Sequence, residues 1–187
     1  MVDDRTIAAA LAQYLASAGL PADCGVSLRW VTVRLFGIPI AFPNWDARRR
    51  VLFRHDVHHL LTGYRTTWTG EAEIAAFELR TGCRDYVAAW FFNCGGWLFG
   101  LAIAPRRLFL AFVQARGCRN LYAMPRERID GMTVEGGRRE LGLTQPARCT
   151  TARDVGAFVL WSTAIVAVYV VAPLLLTALV VWLATNR

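Results

Sequence analysis

From Val155 to Ala184 the chain runs for thirty residues without a charged side chain. About 20 apolar residues suffice to cross the hydrocarbon core of a bilayer. Thirty helical residues would extend roughly 45 Å, more than that core needs. Core helices of water-soluble domains are usually far shorter. The segment is therefore expected to span a membrane, tilted or kinked, with Pro173 as the place for a kink. Trp161 and Trp182 lie near its ends, where indole rings favour the lipid–water boundary. Arg138, Arg139, Arg148 and Arg153 precede it and only Arg187 follows. The positive-inside rule then keeps residues 1–154 on the cytoplasmic side. The expected division is a helical domain over 1–150 and a transmembrane anchor over 151–187.

The remainder is compatible with that placement. The 187 residues are 55% hydrophobic and only 19% charged, richer in apolar side chains than an ordinary globular domain. All 21 basic residues are arginine. With the abundant alanine, this suggests a GC-rich bacterial genome and hence a bacterial cytoplasmic membrane. The net charge of +7 is spread along the chain, which argues against a nucleic-acid partner. Five dispersed cysteines with no C-x-x-C pair speak against a disulfide framework or a zinc ribbon, and for reduced thiols. The acidic start Met1-Val2-Asp3-Asp4 is unlike a secretory signal.

Periodicity predicts a mainly α-helical bundle with a small N-terminal β-hairpin. A first helix is expected over 5–18, capped by Asp4 and stopped by Gly19 and Pro21. Residues 26–42 alternate apolar and polar, with an interruption at Gly37, as a hairpin does; Pro39 would have to lie on an edge. A helix follows from Asp46 to about Leu61, with Asn44 as its cap and Gly63 as its stop. A polar loop over 64–70 leads to another helix starting near Glu71 and broken at Gly82. Residues 86–104 are uncharged and carry Trp90, Phe91, Phe92, Trp97 and Phe99. Asn93, Gly95 and Gly96 in their midst favour a core or pocket-lining helix over a second membrane span. Further helices are expected from Pro105 to about Arg116 and over 133–142.

The chemistry is concentrated at one place. All three histidines fall in Arg54-His55-Asp56-Val57-His58-His59. His55 and His59 stand four apart, so on a helix both project from one face. Two imidazoles at that spacing can grip one ion, as in H-E-x-x-H metalloproteases, but Asp56 stands where those have Glu. Asp56 could ligate the ion or orient an imidazole. Glu71, at the start of the next helix, is the candidate ligand from elsewhere. Two imidazoles with one or two carboxylates suit zinc best, and also iron or manganese. Open positions would remain for water or substrate, the catalytic pattern. His58 points off that face and is a candidate for a group supporting the ligands from behind, for a surface group, or for a proton relay. Glu73 and Glu78 read as solvated. The Arg48-Arg49-Arg50-Arg54 cluster reads as a solvated face near anionic lipid or as a mouth holding a carboxylate or phosphate.

Other histidine chemistries are excluded by count. HD-domain phosphohydrolases need a histidine upstream of the pair, and desaturases need several histidine boxes. No P-loop, G-x-G-x-x-G or G-x-S-x-G occurs, and Asp3-Asp4 is not an aspartate-rich prenyl-diphosphate motif.

His55-Asp56-Val57-His58-His59, then eleven residues, then Glu71 resembles the H-D-x-x-H-(eleven)-E motif of the coenzyme Q biosynthesis protein four family. Gly70, Asn120-Leu121-Tyr122 and Arg138-Arg139-Glu140-Leu141-Gly142 are also similar, and the likeness spans roughly residues 48–143. The stretch before the motif is shorter here, and the uncharged tail is not usual in that family. The resemblance implies a helical fold and a divalent metal on His55, Asp56, His59 and Glu71. It implies an isoprenoid tail in an apolar groove and a place in a biosynthetic enzyme complex. Its activity is removal of the ring C1 carboxylate from a polyprenylated hydroxybenzoate in ubiquinone synthesis, coupled to hydroxylation there.

The resulting expectation is a membrane-anchored, metal-dependent enzyme of prenyl-lipid metabolism. His58 and Glu71 would act catalytically, and Arg48, Arg54, Trp90, Phe91 and Trp97 would hold the lipid substrate. A homodimer is compatible with the aromatic surface. The alternatives are a non-catalytic isoprenoid-binding scaffold, or a hydrolase or cyclase acting on another isoprenoid lipid.

Overall fold

The computed structural model describes residues 3–35, 38–146 and 148–186. Gly37, where the strand alternation breaks, and Arg187, the lone charge after the tail, lie outside the described residues. Eight helices and one two-stranded hairpin make up the fold among them. They are α1 (Ile7–Ser17), β1 (Trp30–Leu35), β2 (Ile38–Pro43), α2 (Asp46–Thr62), α3 (Trp68–Thr81), α4 (Val87–Ile103), α5 (Pro105–Gln114), α6 (Arg126–Gly131), α7 (Val134–Leu141) and α8 (Ala152–Thr185).

Local chemistry sets most of the boundaries. Thr6, not Asp4, caps α1, its hydroxyl accepting from the Ala9 amide; Asp3 is instead paired with Arg5. Ile7, Ala10, Leu11 and Leu15 bury one face of α1. The strands pair antiparallel with Trp30 opposite Pro43 and Leu35 opposite Ile38. In a two-stranded sheet both strands are edges, so Pro39 costs no interior ladder bond. Asn44 does not cap α2. Its buried amide donates to the carbonyls of Gly25 and Leu28, pinning the loop before the hairpin. Gly63 closes α2 in the left-handed conformation, φ 77°. α3 begins three residues earlier than Glu71 would suggest, because the Thr67 hydroxyl accepts from the Gly70 amide.

Two apolar cores flank the α2–α3 pair. One joins α1 to α2, α3, α6 and α7 through Ile7, Leu15, Val57, Leu61, Phe77, Leu121 and Leu141. The other joins α3 to α4 and α5 through Ala72, Ala76, Leu79, Trp97, Leu108 and Phe112. α3 and α4 approach closely: a Cβ at Gly100 would stand 2.7 Å from the Ala72 Cβ. Gly96 and Gly100 of the uncharged 86–104 stretch thus serve helix packing. At seventeen residues, α4 is shorter than the α8 helix and packs its Ala88, Ala89, Asn93, Cys94, Trp97 and Gly100 face into the core.

α8 is 34 residues long and apolar enough to cross a membrane, and its most apolar window is only 6% buried. Its first half packs on the domain. Phe158 lies on Trp97 and Phe112, and Trp161 on Trp90 and Trp97. Trp161 therefore packs on the domain, and α8 shares the second core with α3, α4 and α5. Residues Ala167–Val171 widen to π-helical turns just before Pro173. Pro173 has no amide hydrogen and its ring crowds the preceding turn, which an i→i+5 register relieves.

Candidate metal centre

α2 carries His55 and His59 one turn apart, with their ring centroids 4.8 Å from each other. The loop from Gly63 to Thr67 returns the chain so that α3 starts beside them. That return is tight: a Cβ on Gly70 would fall 1.8 Å from the Arg65 carbonyl oxygen, so no other residue fits there. Glu71 follows in the first turn of α3, where a helix N-terminus favours a carboxylate.

Three ligand groups converge. The two histidine Nε2 atoms are 3.2 Å apart. Glu71 Oε2 lies 3.4 Å from His55 Nε2, and Glu71 Oε1 lies 3.4 Å from His59 Nε2. Donor atoms around a tetrahedral ion with bonds of about 2.0–2.1 Å stand about 3.3–3.4 Å apart. The two Glu71 separations run to different carboxylate oxygens; taken with one ligand atom from each residue, the three groups lie within 4.8 Å of one another, close enough to hold one small cation.

The outer hydrogen bonds fix the ring orientations. His59 Nδ1 is 2.9 Å from the Tyr64 carbonyl oxygen, which can only accept, so Nδ1 carries the proton. His55 Nδ1 is 3.3 Å from the Glu78 carboxylate, which likewise accepts. Both Nε2 lone pairs of the neutral rings then face the same point. Two acceptors at 3.2 Å repel unless a proton or metal cation lies between them. This is the arrangement in which carboxylate and carbonyl partners set the tautomer of metal-bound histidines.

Glu78 is the hub of that outer layer. It is fully buried and takes four donors: His58 Nδ1–H at 2.7 Å, His55 Nδ1–H at 3.3 Å, Asn93 Nδ2–H at 2.6 Å and the Tyr122 hydroxyl at 2.7 Å. Burial disfavours its charged form, but the His55 and His58 rings outweigh burial and hold its pKa well below the usual carboxylate range. Burial likewise opposes a charge on His55, yet Glu78 and Glu71 raise its pKa well above normal. The centre is electrostatically built for a cation.

The site residues expected from sequence separate into distinct groups. Asp56 is buried but does not belong to the converging set. The Cys24 thiol hydrogen-bonds it, and burial raises its pKa, which weakens it as an anionic ligand. His58 is neither on the surface nor able to reach a substrate. It is wholly buried, its Nε2 accepts from the Leu121 amide at 2.9 Å, and its Nδ1–H is spent on Glu78. It props Glu78 from behind the His55/His59 pair, the supporting role its off-face position suggested. Glu78 and Glu73 are not solvated either; Glu73 is buried against Arg107 at 2.8 Å.

Among the expected lipid contacts, Arg54 is used structurally, donating to the carbonyls of Leu121 and Met124. Trp97 is buried in the core and donates to the Ser162 hydroxyl, fastening α8 rather than lining a groove. Trp90 stacks on Trp161 and donates to the Arg84 carbonyl. Phe91 remains half exposed, and half-buried Arg48 lies over the rings of Phe42 and Phe92.

Several residues of the site escape local pattern reading. Glu78 stands seven after Glu71, two turns along one stripe of α3, which is the signal that could have paired them. Asn93 is a lone amide in an apolar helix. Tyr122 and the Leu121 amide form a clip that Asn120 locks by donating to the Thr81 and Gly82 carbonyls. Tyr14 of α1 lies close enough to feel Asp56 and Glu71. Burial and those two carboxylates push its pKa up to about 12, so it stays a neutral donor. No family model matches this chain, and no curated protein or solved structure is found similar to it.

Proposed function

We propose that this chain is a membrane-anchored, metal-dependent enzyme acting on a polyprenylated aromatic acid. The reaction proposed is the one the motif resemblance implies: the ring C1 carboxylate leaves as carbon dioxide and a hydroxyl takes its place, a two-electron oxidation that balances with one water consumed and dioxygen reduced to hydrogen peroxide. The observation that carries the reading is the convergence of His55 Nε2, His59 Nε2 and Glu71 within 3.4 Å, with both rings held in the ligating tautomer. Three protein ligands leave at least one position open on a tetrahedral ion, the catalytic rather than the structural pattern.

A divalent ion there would polarise a substrate carboxylate or activate water or dioxygen. Glu71 keeps 37% of its side-chain surface open and His55 24%, so a ligand would enter from their side, while His59 at 1% is sealed in. Tyr14 supplies a protonated hydroxyl near the same carboxylate. Arg48 lies seven residues, or two turns, before His55 on α2 and can meet an anionic group on the way in. The apolar α8 helix supports a lipid-soluble substrate.

Metal analysis of purified protein, with mass spectrometry of co-purifying lipid, tests the reading. About one divalent ion per chain is expected, falling to background in His59→Ala while far-UV circular dichroism is retained. Release of carbon dioxide from a prenylated hydroxybenzoate would mark the enzyme; lipid binding without release would mark a scaffold. A chain that takes up no divalent ion after supplementation would end the proposal.

A further inference from the structure

The hairpin is oddly placed for a domain in water. Ile38, Ile40 and Phe42 share one face of β2, and Val31 and Val33 lie opposite Phe42 and Ile40 on β1. Ile38 is 65% exposed, Ile40 43% and, on the other face, Trp30 56%. The ribbon meets the helices chiefly through Phe42, whose ring lies 5.9 Å from Trp45 and 6.2 Å from Phe92. An isolated two-stranded hairpin is marginal in water, and one with its apolar face bare has little to hold it.

The same aromatic contacts continue onto α8. Trp45 stacks on Phe92, Phe92 meets Phe91 edge-on, and Phe91 lies 5.9 Å from Tyr169. Tyr169 is where α8 leaves the domain; beyond it the described side chains are exposed and, apart from Thr177, Thr185 and Asn186, apolar. Val87, at the same end of α4, is exposed too. Hairpin, Trp45, Phe91 and the departing α8 thus form one apolar end of the molecule. Arg29, Arg50 and Arg84 are exposed on the segments that border it. Aromatic side chains with arginines around them suit the boundary of an anionic leaflet.

We infer that the hairpin inserts into the same leaflet that α8 enters, so that lipid acyl chains cover Ile38, Ile40 and Trp30. The inference rests on the membrane anchorage proposed above. The continuity from Phe42 to Tyr169 favours lipid over a second copy of the chain. Insertion also places the start of α2 at the lipid surface.

Photocrosslinking of the full chain in nanodiscs of phosphatidylcholine with phosphatidylglycerol tests this. Ile40→p-benzoylphenylalanine and Ile38→p-benzoylphenylalanine report the hairpin, Leu176→p-benzoylphenylalanine the anchor, and Glu127→p-benzoylphenylalanine an exposed helix away from both. Both hairpin probes lie at exposed positions and leave the core intact. Phospholipid adducts at 38 and 40 are expected at least about tenfold above those at 127, as for side chains buried in the acyl boundary. Adducts at 176 with none at 38 or 40, or hairpin probes joined to a second copy, overturn the insertion and leave the anchor standing. Absence of lipid adducts at 176 overturns the anchorage and, with it, insertion of the hairpin into the leaflet that α8 enters.

Discussion

The middle of the molecule and its outer end reverse the usual distribution of polarity. At the middle, a carboxylate, two imidazoles, an amide and a phenol are packed out of water around Glu78 and saturate one another. At the outer end, isoleucines, leucines, valines and tryptophans stand open. Each would be an error in an ordinary soluble domain, since buried charge needs partners and exposed apolar surface needs a cover. Inside, the partners are present and converge on a cation position. Outside, the cover is supplied by lipid if the chain is anchored as proposed. On the proposed anchorage, polar interior and apolar exterior serve one task, holding a charged centre beside a non-aqueous phase.

The sharpest way to break the polar half is Glu78→Ala. It strands His58, Asn93 and Tyr122 without an acceptor and removes the partner that orients His55. Loss of one member of a buried charged network costs about 3–5 kcal/mol. The denaturant midpoint of detergent-solubilised protein should fall accordingly, and metal should be lost with it. A variant as stable as the parent would mean that the network is not what holds α2, α3 and α4 together.

The apolar half breaks at Leu176→Arg. An arginine near the middle of a membrane helix is disfavoured relative to leucine by about 3 kcal/mol on insertion scales. The apparent insertion free energy, read by glycosylation mapping, should shift by that much while the metal centre is untouched. No shift would show that residue 176 does not sit in the hydrocarbon, and the comparison between the two halves would lose its second term.

How far these two halves could be read from the amino acids differs for a physical reason. The tail is a one-dimensional signal: thirty uncharged residues mean the same thing whatever they touch. α2 and its His55/His59 face are nearly as direct, because helical period alone fixes which side chains share a side. Glu71 could be placed because a short loop limits where α3 can begin. Glu78 could not, since a carboxylate on a helix is solvated unless donors arrive from elsewhere. Its donors come from α2, α4 and the Tyr122 segment, and no spacing encodes that meeting. Asp56 sits in the motif, and the 100° step from His55 brings it to Cys24, outside the group of His55, His59 and Glu71. α6 carries a single buried apolar residue, Ile129, too little for a periodic signal. The exposed hairpin was legible as a hairpin but not as bare, because alternation states which residues share a face and not whether anything lies on it.

The mildest cut separates two roles for the outer layer. Tyr122→Phe removes one of the four donors to Glu78 and leaves the ring, which packs near His58 and Tyr86, in place. A lost hydrogen bond to a charged acceptor costs about 1.5–3 kcal/mol, here at the low end because three donors remain. If Glu78 acts on the ion through His55, the carboxylate freed of the phenol binds His55 more strongly, and the metal dissociation constant changes by up to about tenfold while stability drops only modestly. If Glu78 is a packing hub alone, stability falls by the same amount and metal affinity does not move. Isothermal titration with zinc, run beside thermal unfolding of the same variant, separates the two. Only the first outcome joins the buried hydrogen bonds to the chemistry at Glu71.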